Sequence, residues 1–136
     1  MTHNELRELL ERLHDKYNRA EFIADDPISI PHLFSGREDI EISGLLAATI
    51  AWGNRKAIVK SARRMVDYMD GAPYDFTMNA SDAELDKLLT YVHRTFNGSD
   101  FRSYVIALRR LYAAEGGNAS YFQRRYAATR DMRVVL

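Results

Sequence analysis

The chain has 136 residues, 46% of them hydrophobic, which is the size and composition of a single globular domain with a hydrophobic core. Its 19 basic and 19 acidic side chains cancel, so the chain as a whole has no attraction for nucleic acid or anionic membranes, and any such binding must be local. Cysteine is absent, which excludes disulfides, thiolate metal sites and cysteine nucleophiles.

The N-terminal segment is predicted to be an amphipathic helix. Thr2 and Glu5 fit a capping box at its start, and apolar side chains then recur at helical spacing. The segment has no apolar run of the kind that a signal peptide or an anchor needs, and the run from Gly44 to Gly53 is about half of the roughly 20 residues that span a bilayer. We therefore expect a cytoplasmic protein with no membrane partner. The apolar positions of this helix are Leu6, Leu9, Leu10, Leu13 and Tyr17.

The next segment is predicted to be a connector followed by the central helix. Two prolines in Asp25–Pro31 favour extended backbone, because each disfavours helical backbone at the residue before it. Ser35 and Glu38 fit a second capping box, and the helix that follows is apolar nearly all round, as a central helix would be. We interpret Trp52 as a core residue that closes this helix. Its other apolar residues are Ile40, Leu45, Leu46 and Ile50, together with Gly44, Ala47, Ala48 and Ala51, whose small size should let neighbouring helices approach closely.

Further helices are predicted after a polar elbow at residues 53–56. The first buries Ile58, Val59, Ala62, Met65, Val66 and Met69 and ends at Asp70–Gly71. The second is capped by Ser81 and Glu84 and runs through Leu85, Leu88, Leu89 and Val92. The third begins near Ser99 and ends at Gly116–Gly117, where a left-handed cap is expected. Asn118 is predicted to cap a last helix that carries Tyr121, Phe122 and Tyr126.

These patterns predict an all-α fold, because no strand-like alternation and no internal repeat interrupts them. We expect a compact multi-helix bundle of about six to seven helices, orthogonal rather than coiled-coil, in one domain over residues 1–136 with its connector near residues 25–31. The apolar tail Met132–Leu136 has no visible partner. Either the packing is incomplete and a C-terminal half is lacking, or the terminus is frayed.

The sequence lacks the common motifs of metal sites, phosphate-binding loops and catalytic nucleophiles. The histidines His3, His14, His32 and His93 are scattered without metal-ligand spacing, and no phosphate-binding glycine loop or nucleophile elbow is present. We therefore expect no metal, no cofactor and no catalytic constellation. Glu38, Asp39 and Glu41 fall at the start of a helix, where carboxylates favour the positive end of the helix dipole. A general acid or base in that cluster or at Asp25–Asp26 stays open, because nothing selects one.

One basic row is the best candidate for a binding site. Lys56, Lys60 and Arg63 recur at i, i+4 and i+7, so they share one helix face that could follow a phosphate backbone. The alternative is an ordinary solvated face. The amide of Asn54 in the elbow could reach base edges, although a turn alone also favours Gly-Asn. The predicted nucleic-acid-binding residues are Asn54, Arg55, Lys56, Lys60, Arg63 and Arg64.

Several phrases of the sequence carry a family resemblance. DDPISIPH, AATIAWGNRK, APYDF and HRTFNGSDF, with the paired glycines at Gly116–Gly117, resemble an uncharacterised bacterial all-helical family. That family is remotely similar to the helix-hairpin-helix DNA glycosylases of the endonuclease III type. The run IEISGLLAATIAWGNRKAIVKSARRM resembles their opening helical pair, in which a polar elbow inserts into DNA. The match concerns only the N-terminal part of the glycosylase fold.

This resemblance implies a DNA-repair-like protein without its own catalytic centre. It places Asn54 where the superfamily has its DNA-inserting glutamine or asparagine, and Arg55 and Lys56 at the start of the following helix. The glycine-containing hairpin and the catalytic aspartate of the superfamily have no counterpart here. Three hypotheses follow: a DNA-binding helical domain, an enzyme completed by a partner or a missing half, and an interaction module that self-associates or contacts that half through Tyr121, Phe122 and Tyr126.

Overall fold

The structure is a computed structural model that describes residues 1–135, and it is all-α apart from one short hairpin. Nine α-helices lie within that range: α1 His3–Tyr17, α2 Ala20–Ile23, α3 Arg37–Thr49, α4 Arg55–Tyr68, α5 Pro73–Asn79, α6 Asp82–Lys87, α7 Gly98–Glu115, α8 Asn118–Thr129 and α9 Met132–Val135. Three 3-10 segments occur at Pro27–Ser29, Pro31–Leu33 and Leu88–Thr90, and the antiparallel hairpin pairs β1 Val92–His93 with β2 Phe96–Asn97. The all-α prediction is confirmed.

The predicted number of six to seven helices was too low, because the short helices α2, α5 and α9 were not predicted. The connector also differs from the expected extended backbone. The two prolines of the connector each start a 3-10 turn, because proline fits the first turn of a helix and has no N–H to lose there. The helix expected to run from Ser81 through Val92 is also shorter than predicted. It ends at Lys87, continues as the 3-10 turn Leu88–Thr90, and gives way to a strand at Val92.

The helix starts follow local capping chemistry where the sequence pattern is complete. The capping boxes at Thr2–Glu5 and Ser81–Glu84 are confirmed, as is the left-handed end of α7 at Gly116 with φ 77°. The box expected at Ser35–Glu38 is wrong, because the helix begins one residue later with Gly36 at its N-cap.

Two predicted helix starts near the C-terminus also shift by a residue or more. The helix predicted from Ser99 starts at Gly98 and is capped by a box between Asn97 and Asp100. Asn118 is the first residue of α8 and does not cap it, because Gly117 occupies the N-cap. Its backbone N–H instead donates to the carboxylate of Glu41, so a contact from another helix replaces the local cap.

The core is built around α3, as predicted, but one side of that helix is open. Ile42, Leu46 and Ile50 are buried, whereas Ile40 and Leu45 are 39% and 38% exposed. The 3-10 turn at Leu88–Thr90 carries Tyr91 into the centre of the core, where its hydroxyl donates to the carbonyl of Ser61. The other buried members of this core include Met65, Met69, Phe76, Leu85, Leu88, Phe101, Val105 and Leu108.

The apolar face of α1 is exposed. The helix forms as predicted, yet none of its residues is buried. Leu10 is 56% exposed and Tyr17 is 47% exposed, and Tyr17 contacts the ring of Phe22 edge-to-face at 5.8 Å. The amphipathic pattern therefore correctly predicts a helix, but the predicted apolar face does not join the core.

The C-terminal helices lie outside the main core. Tyr121 and Phe122 are half-buried and contact each other edge-to-face at 5.6 Å, while Tyr126 is 41% exposed. Most of the apolar tail predicted at Met132–Leu136 forms α9, in which Val135 is buried, and Leu136 lies outside the described residues. Over residues 1–135, the structure contains no helix with the length and apolar character needed to cross a membrane.

Candidate nucleic-acid interface

Residues 50–54 join α3 to α4, so the elbow lies earlier than the predicted residues 53–56, and Arg55 and Lys56 already belong to α4. The name elbow refers to residues 50–54 from here on. Gly53 has φ +97°, a backbone conformation that glycine adopts readily and other residues rarely do. Asn54 is the N-cap of α4, and its Oδ1 accepts a hydrogen bond from the backbone N–H of Ala57 at 3.1 Å. The side-chain oxygen of Asn54 is therefore occupied in capping, and its exposed NH₂ group remains to contact a ligand.

The basic stripe consists of Lys56, Lys60 and Arg63, which lie exposed along α4. Within residues 1–135, none of the three forms an ion pair or a side-chain hydrogen bond. At 1.5 Å per residue the stripe is about 10 Å long, a length over which one DNA strand carries about three phosphates. Three unpaired cations thus match the spacing of a phosphate backbone.

Two predicted site residues are turned toward aromatic rings at the flanks of α4. The guanidinium of Arg55 lies 5.3 Å from the ring centroid of Phe22 and shares a cleft of about 300 Å³ with Asp25. The guanidinium of Arg64 lies 5.6 Å from the ring centroid of Tyr91. Such cation–π contacts hold the two arginines in place. The structure therefore keeps the basic stripe together and sets Arg55 and Arg64 apart from it.

Arg94 is a basic residue at the elbow that is not among the predicted nucleic-acid-binding residues. It occupies the tip of the β1–β2 hairpin with φ +53°, which is uncommon for a residue with a side chain. Its guanidinium lies against Gly53, in the space that a Cβ at residue 53 would enter. The hairpin depends on tertiary packing, so its sequence carried no signal that Arg94 would reach the elbow.

Trp52 in the elbow contacts His93 in the hairpin. Trp52 is 39% exposed, so the interpretation of Trp52 as a core residue is wrong: α3 ends at Thr49, and the indole lies on the exposed connection after it. Its ring contacts His93 edge-to-face at 5.6 Å. His93 is buried, with Nδ1 2.7 Å from the hydroxyl of Ser61 and with no hydrogen-bond partner for Nε2 in the described part of the chain.

Burial of His93 should make folding stability sensitive to pH. Desolvation, followed by the nearby charge of Arg94, lowers the pKa of His93 below its ordinary value of 6.5. His93 therefore binds a proton more readily in the unfolded chain than in the folded chain. The stability that the neutral, buried His93 contributes is present above pH 6.5 and is lost as pH falls through the lowered pKa. We expect the free energy of unfolding, measured with urea, to fall more between about pH 7 and pH 5 in the unmodified chain than in the His93→Gln variant. An equal fall in both proteins would contradict the lowered pKa of His93.

A groove of about 620 Å³ opens beside the elbow. Its floor is the small-residue face of α3, which was expected to let neighbouring helices approach closely. Gly44 lies near Pro31, but Ala48 and Ala51 are exposed. At the rim, Asp26 uses its Oδ1 to cap the 3-10 turn at the N–H of Ile28. The lining is therefore mostly apolar, and its charged members are Asp26 and Arg55. The remaining lining residues are Pro27, Ile28, Ala47, Gly53 and Ile58.

Two carboxylates of the acidic cluster on α3 accept hydrogen bonds from other elements of the fold. Glu38 and Asp39 lie in the first turn as predicted, and Asp39 accepts the backbone N–H of Tyr74 at 2.9 Å. Glu41 lies beyond that turn and accepts the hydroxyl of Tyr112 at 2.7 Å, while its other oxygen accepts Arg37 at 3.1 Å. Its carboxylate is thus engaged in packing α7 on α3. Across residues 1–135, no three acidic or histidine side chains are grouped so that they could hold a metal ion.

Fold and surface together define an all-α bundle over residues 1–135 that carries an exposed basic stripe on α4. A family model described as "Protein of unknown function (DUF2400)" matches residues 26–135, and the chain belongs to this family. The matched range contains the elbow, the basic stripe and the hairpin, and it begins after α1 and α2. No curated protein and no solved structure gives a significant match to the chain.

Proposed function

We propose that this chain is a DNA-binding helical domain that binds through the elbow and the basic stripe of α4. The observation that carries the proposal is the stripe itself: Lys56, Lys60 and Arg63 are exposed on one helix face without acidic partners in the described range. Phosphates would neutralise these cations and release counterions from the DNA. The balanced charge of the whole chain does not oppose this, because the contact is local.

Two further donor groups lie at the elbow, one from Asn54 and one from the β1–β2 hairpin. The NH₂ group of Asn54 is exposed at the N-terminus of α4, and the guanidinium of Arg94 lies against Gly53. Both can donate hydrogen bonds to phosphates or base edges. This arrangement agrees with the resemblance of the elbow to that of the helix-hairpin-helix glycosylases, and we propose a remote relationship to them. The proposal assigns binding, and no catalytic step, to residues 1–135.

Charge reversal in the stripe tests this proposal. Binding of a labelled DNA duplex is measured by fluorescence anisotropy at low salt for the unmodified chain, Lys56→Glu and Arg63→Glu. Each substitution is expected to weaken binding about tenfold or more, because it removes one phosphate contact and adds a repulsive charge. The matched control is Arg110→Glu on α7, an exposed arginine with no ion-pair partner inside residues 1–135. Equal effects of Arg63→Glu and Arg110→Glu would contradict a specific interface.

An interaction module is the second candidate, and the exposed apolar face of α1 favours it. Leu6, Leu10 and Leu13 form a continuous row on a helix without a buried residue. A chain that binds no DNA and sediments as a dimer would support this candidate in place of the first. A monomer that binds DNA would support DNA binding alone.

A further inference from the structure

We infer that the elbow binds an unpaired base and that the indole of Trp52 is the surface on which this base stacks. The inference rests on the proposed function and deepens it, because it names single-stranded DNA as the preferred ligand. It is carried by an exposed aromatic ring that stands among cations on a rigid support.

The support of Trp52 begins in the backbone. The N–H of Trp52 donates to the carbonyl of Ile50 at 2.9 Å, which forms a tight turn at the end of α3. Ile50 itself is fully buried, so the turn is anchored in the core. Gly53 then takes φ +97° and redirects the chain into α4. The indole is thus held at a fixed place on the edge of the elbow.

The indole of Trp52 contacts the buried ring of His93. The two rings meet edge-to-face at 5.6 Å, and the His93 ring is fixed by its 2.7 Å contact with the Ser61 hydroxyl on α4. The part of Trp52 that remains exposed amounts to 39% of the residue. A flat aromatic surface that is already immobilised loses little conformational entropy when a ligand stacks on it.

Two cations lie at the elbow near Trp52. The guanidinium of Arg94 lies against Gly53, the next residue after Trp52, and Lys56 begins the basic stripe four residues further along the chain. Proteins that bind single strands combine a positively charged track for the phosphates with aromatic side chains for the bases. Trp52, Arg94 and Lys56 supply both parts of that combination.

Single-stranded DNA is the ligand that fits this combination best. In an intact duplex each internal base is covered on both faces by its neighbours, so Trp52 would have no open face to stack on. In a single strand the faces are accessible, and stacking on an aromatic side chain does not depend on sequence. We therefore expect the elbow to prefer an unpaired strand to a duplex of the same sequence and length.

The chain allows a direct optical test, because it contains one tryptophan. Fluorescence excited at the long-wavelength edge of the absorption band, where the 8 tyrosines of the chain do not absorb, thus reports Trp52 alone. The protein is titrated with a single-stranded oligothymidylate of about 16 nucleotides and, separately, with a duplex of equal length at the same salt concentration. Stacking predicts strong quenching by the single strand at saturation and little quenching by the duplex.

Substitutions at residue 52 separate stacking from a structural role. With a labelled single strand, Trp52→Leu is expected to weaken binding about tenfold, and Trp52→Phe less, because phenylalanine keeps an aromatic face. Duplex affinity should stay within about twofold in both. Urea unfolding of each variant shows whether it is folded, and the quenching experiment on the unmodified chain needs no variant.

The possible outcomes distinguish this inference from the proposed function. If the single strand quenches Trp52 fluorescence and binds the Trp52→Leu variant more weakly, the result supports both the stacking inference and the proposed function. Binding of both DNA forms with equal affinity and no change in tryptophan fluorescence overturns the inference and leaves the proposed function standing. Absence of binding to either form at low salt overturns both.

Discussion

Gly98→Ala is expected to destabilise the fold by about 3 kcal/mol or more. A Cβ at residue 98 would enter the backbone carbonyls of Leu88 and Leu89, in the 3-10 turn that precedes the hairpin. Backbone atoms of a buried turn cannot move aside as the end of a flexible side chain can, so α7 would have to shift away from this turn. Urea unfolding followed by circular dichroism measures the loss.

Gly44→Ala is the matched control for this prediction. Gly44 lies inside α3, and a Cβ there would stand 3.6 Å from the Cβ of Pro31, an ordinary contact distance. Because alanine favours the helix interior over glycine, this variant should be unchanged or more stable by up to about 1 kcal/mol. Equal stability of the Gly98→Ala and Gly44→Ala variants would contradict the close packing of α7 on the Leu88–Thr90 turn.

Glu41→Ala is expected to lower the free energy of unfolding by about 3 kcal/mol. One carboxylate oxygen of Glu41 accepts both the hydroxyl of Tyr112 at 2.7 Å and the backbone N–H of Asn118 at 3.2 Å. These bonds join α3 to α7 and to the start of α8. Burial and the hydrogen bond to Glu41 both raise the pKa of Tyr112, which keeps its hydroxyl a donor. Removing the carboxylate leaves two partly buried donors without an acceptor.

Two variants check the Glu41 prediction in the same unfolding experiment. Tyr112→Phe removes one of the bonds and leaves the carboxylate its other partners, so about 1 kcal/mol is expected. Glu8→Ala on α1 removes an exposed carboxylate and should change stability by less than about 0.5 kcal/mol. A loss in Glu41→Ala no larger than that in Glu8→Ala would show that the Glu41 bonds do not hold α8.

The features that could be predicted from the sequence are local ones. A capping box joins a side chain to a backbone N–H three residues away, so Thr2–Glu5 and Ser81–Glu84 were readable from their spacing. The exposed basic stripe was readable for the same reason, because its members are neighbours on one helix. The left-handed end of α7 could be predicted because glycine adopts the left-handed conformation without steric penalty and is therefore common at helix ends.

The features that could not be predicted depend on contacts between distant residues. Val92 has the spacing to continue a helix, but the turn at Leu88–Thr90 packs Tyr91 into the core and leaves Val92 in a strand. Arg94 reaches Gly53 only because that hairpin forms. Trp52 looked like a core residue because α3 was expected to continue beyond Thr49. The candidate site was therefore partly predictable: the basic stripe could be predicted from the sequence, whereas Arg94 and the exposed ring of Trp52 became visible only in the structure.

The most direct test of the central claim is the salt dependence of DNA affinity for the unmodified chain. If Lys56, Lys60 and Arg63 each neutralise one phosphate, the logarithm of the association constant should fall linearly with the logarithm of salt concentration. The expected slope is about −2 for a single strand and about −3 for a duplex. A slope near zero, or no binding at low salt, would contradict the claim that the basic stripe of α4 binds DNA.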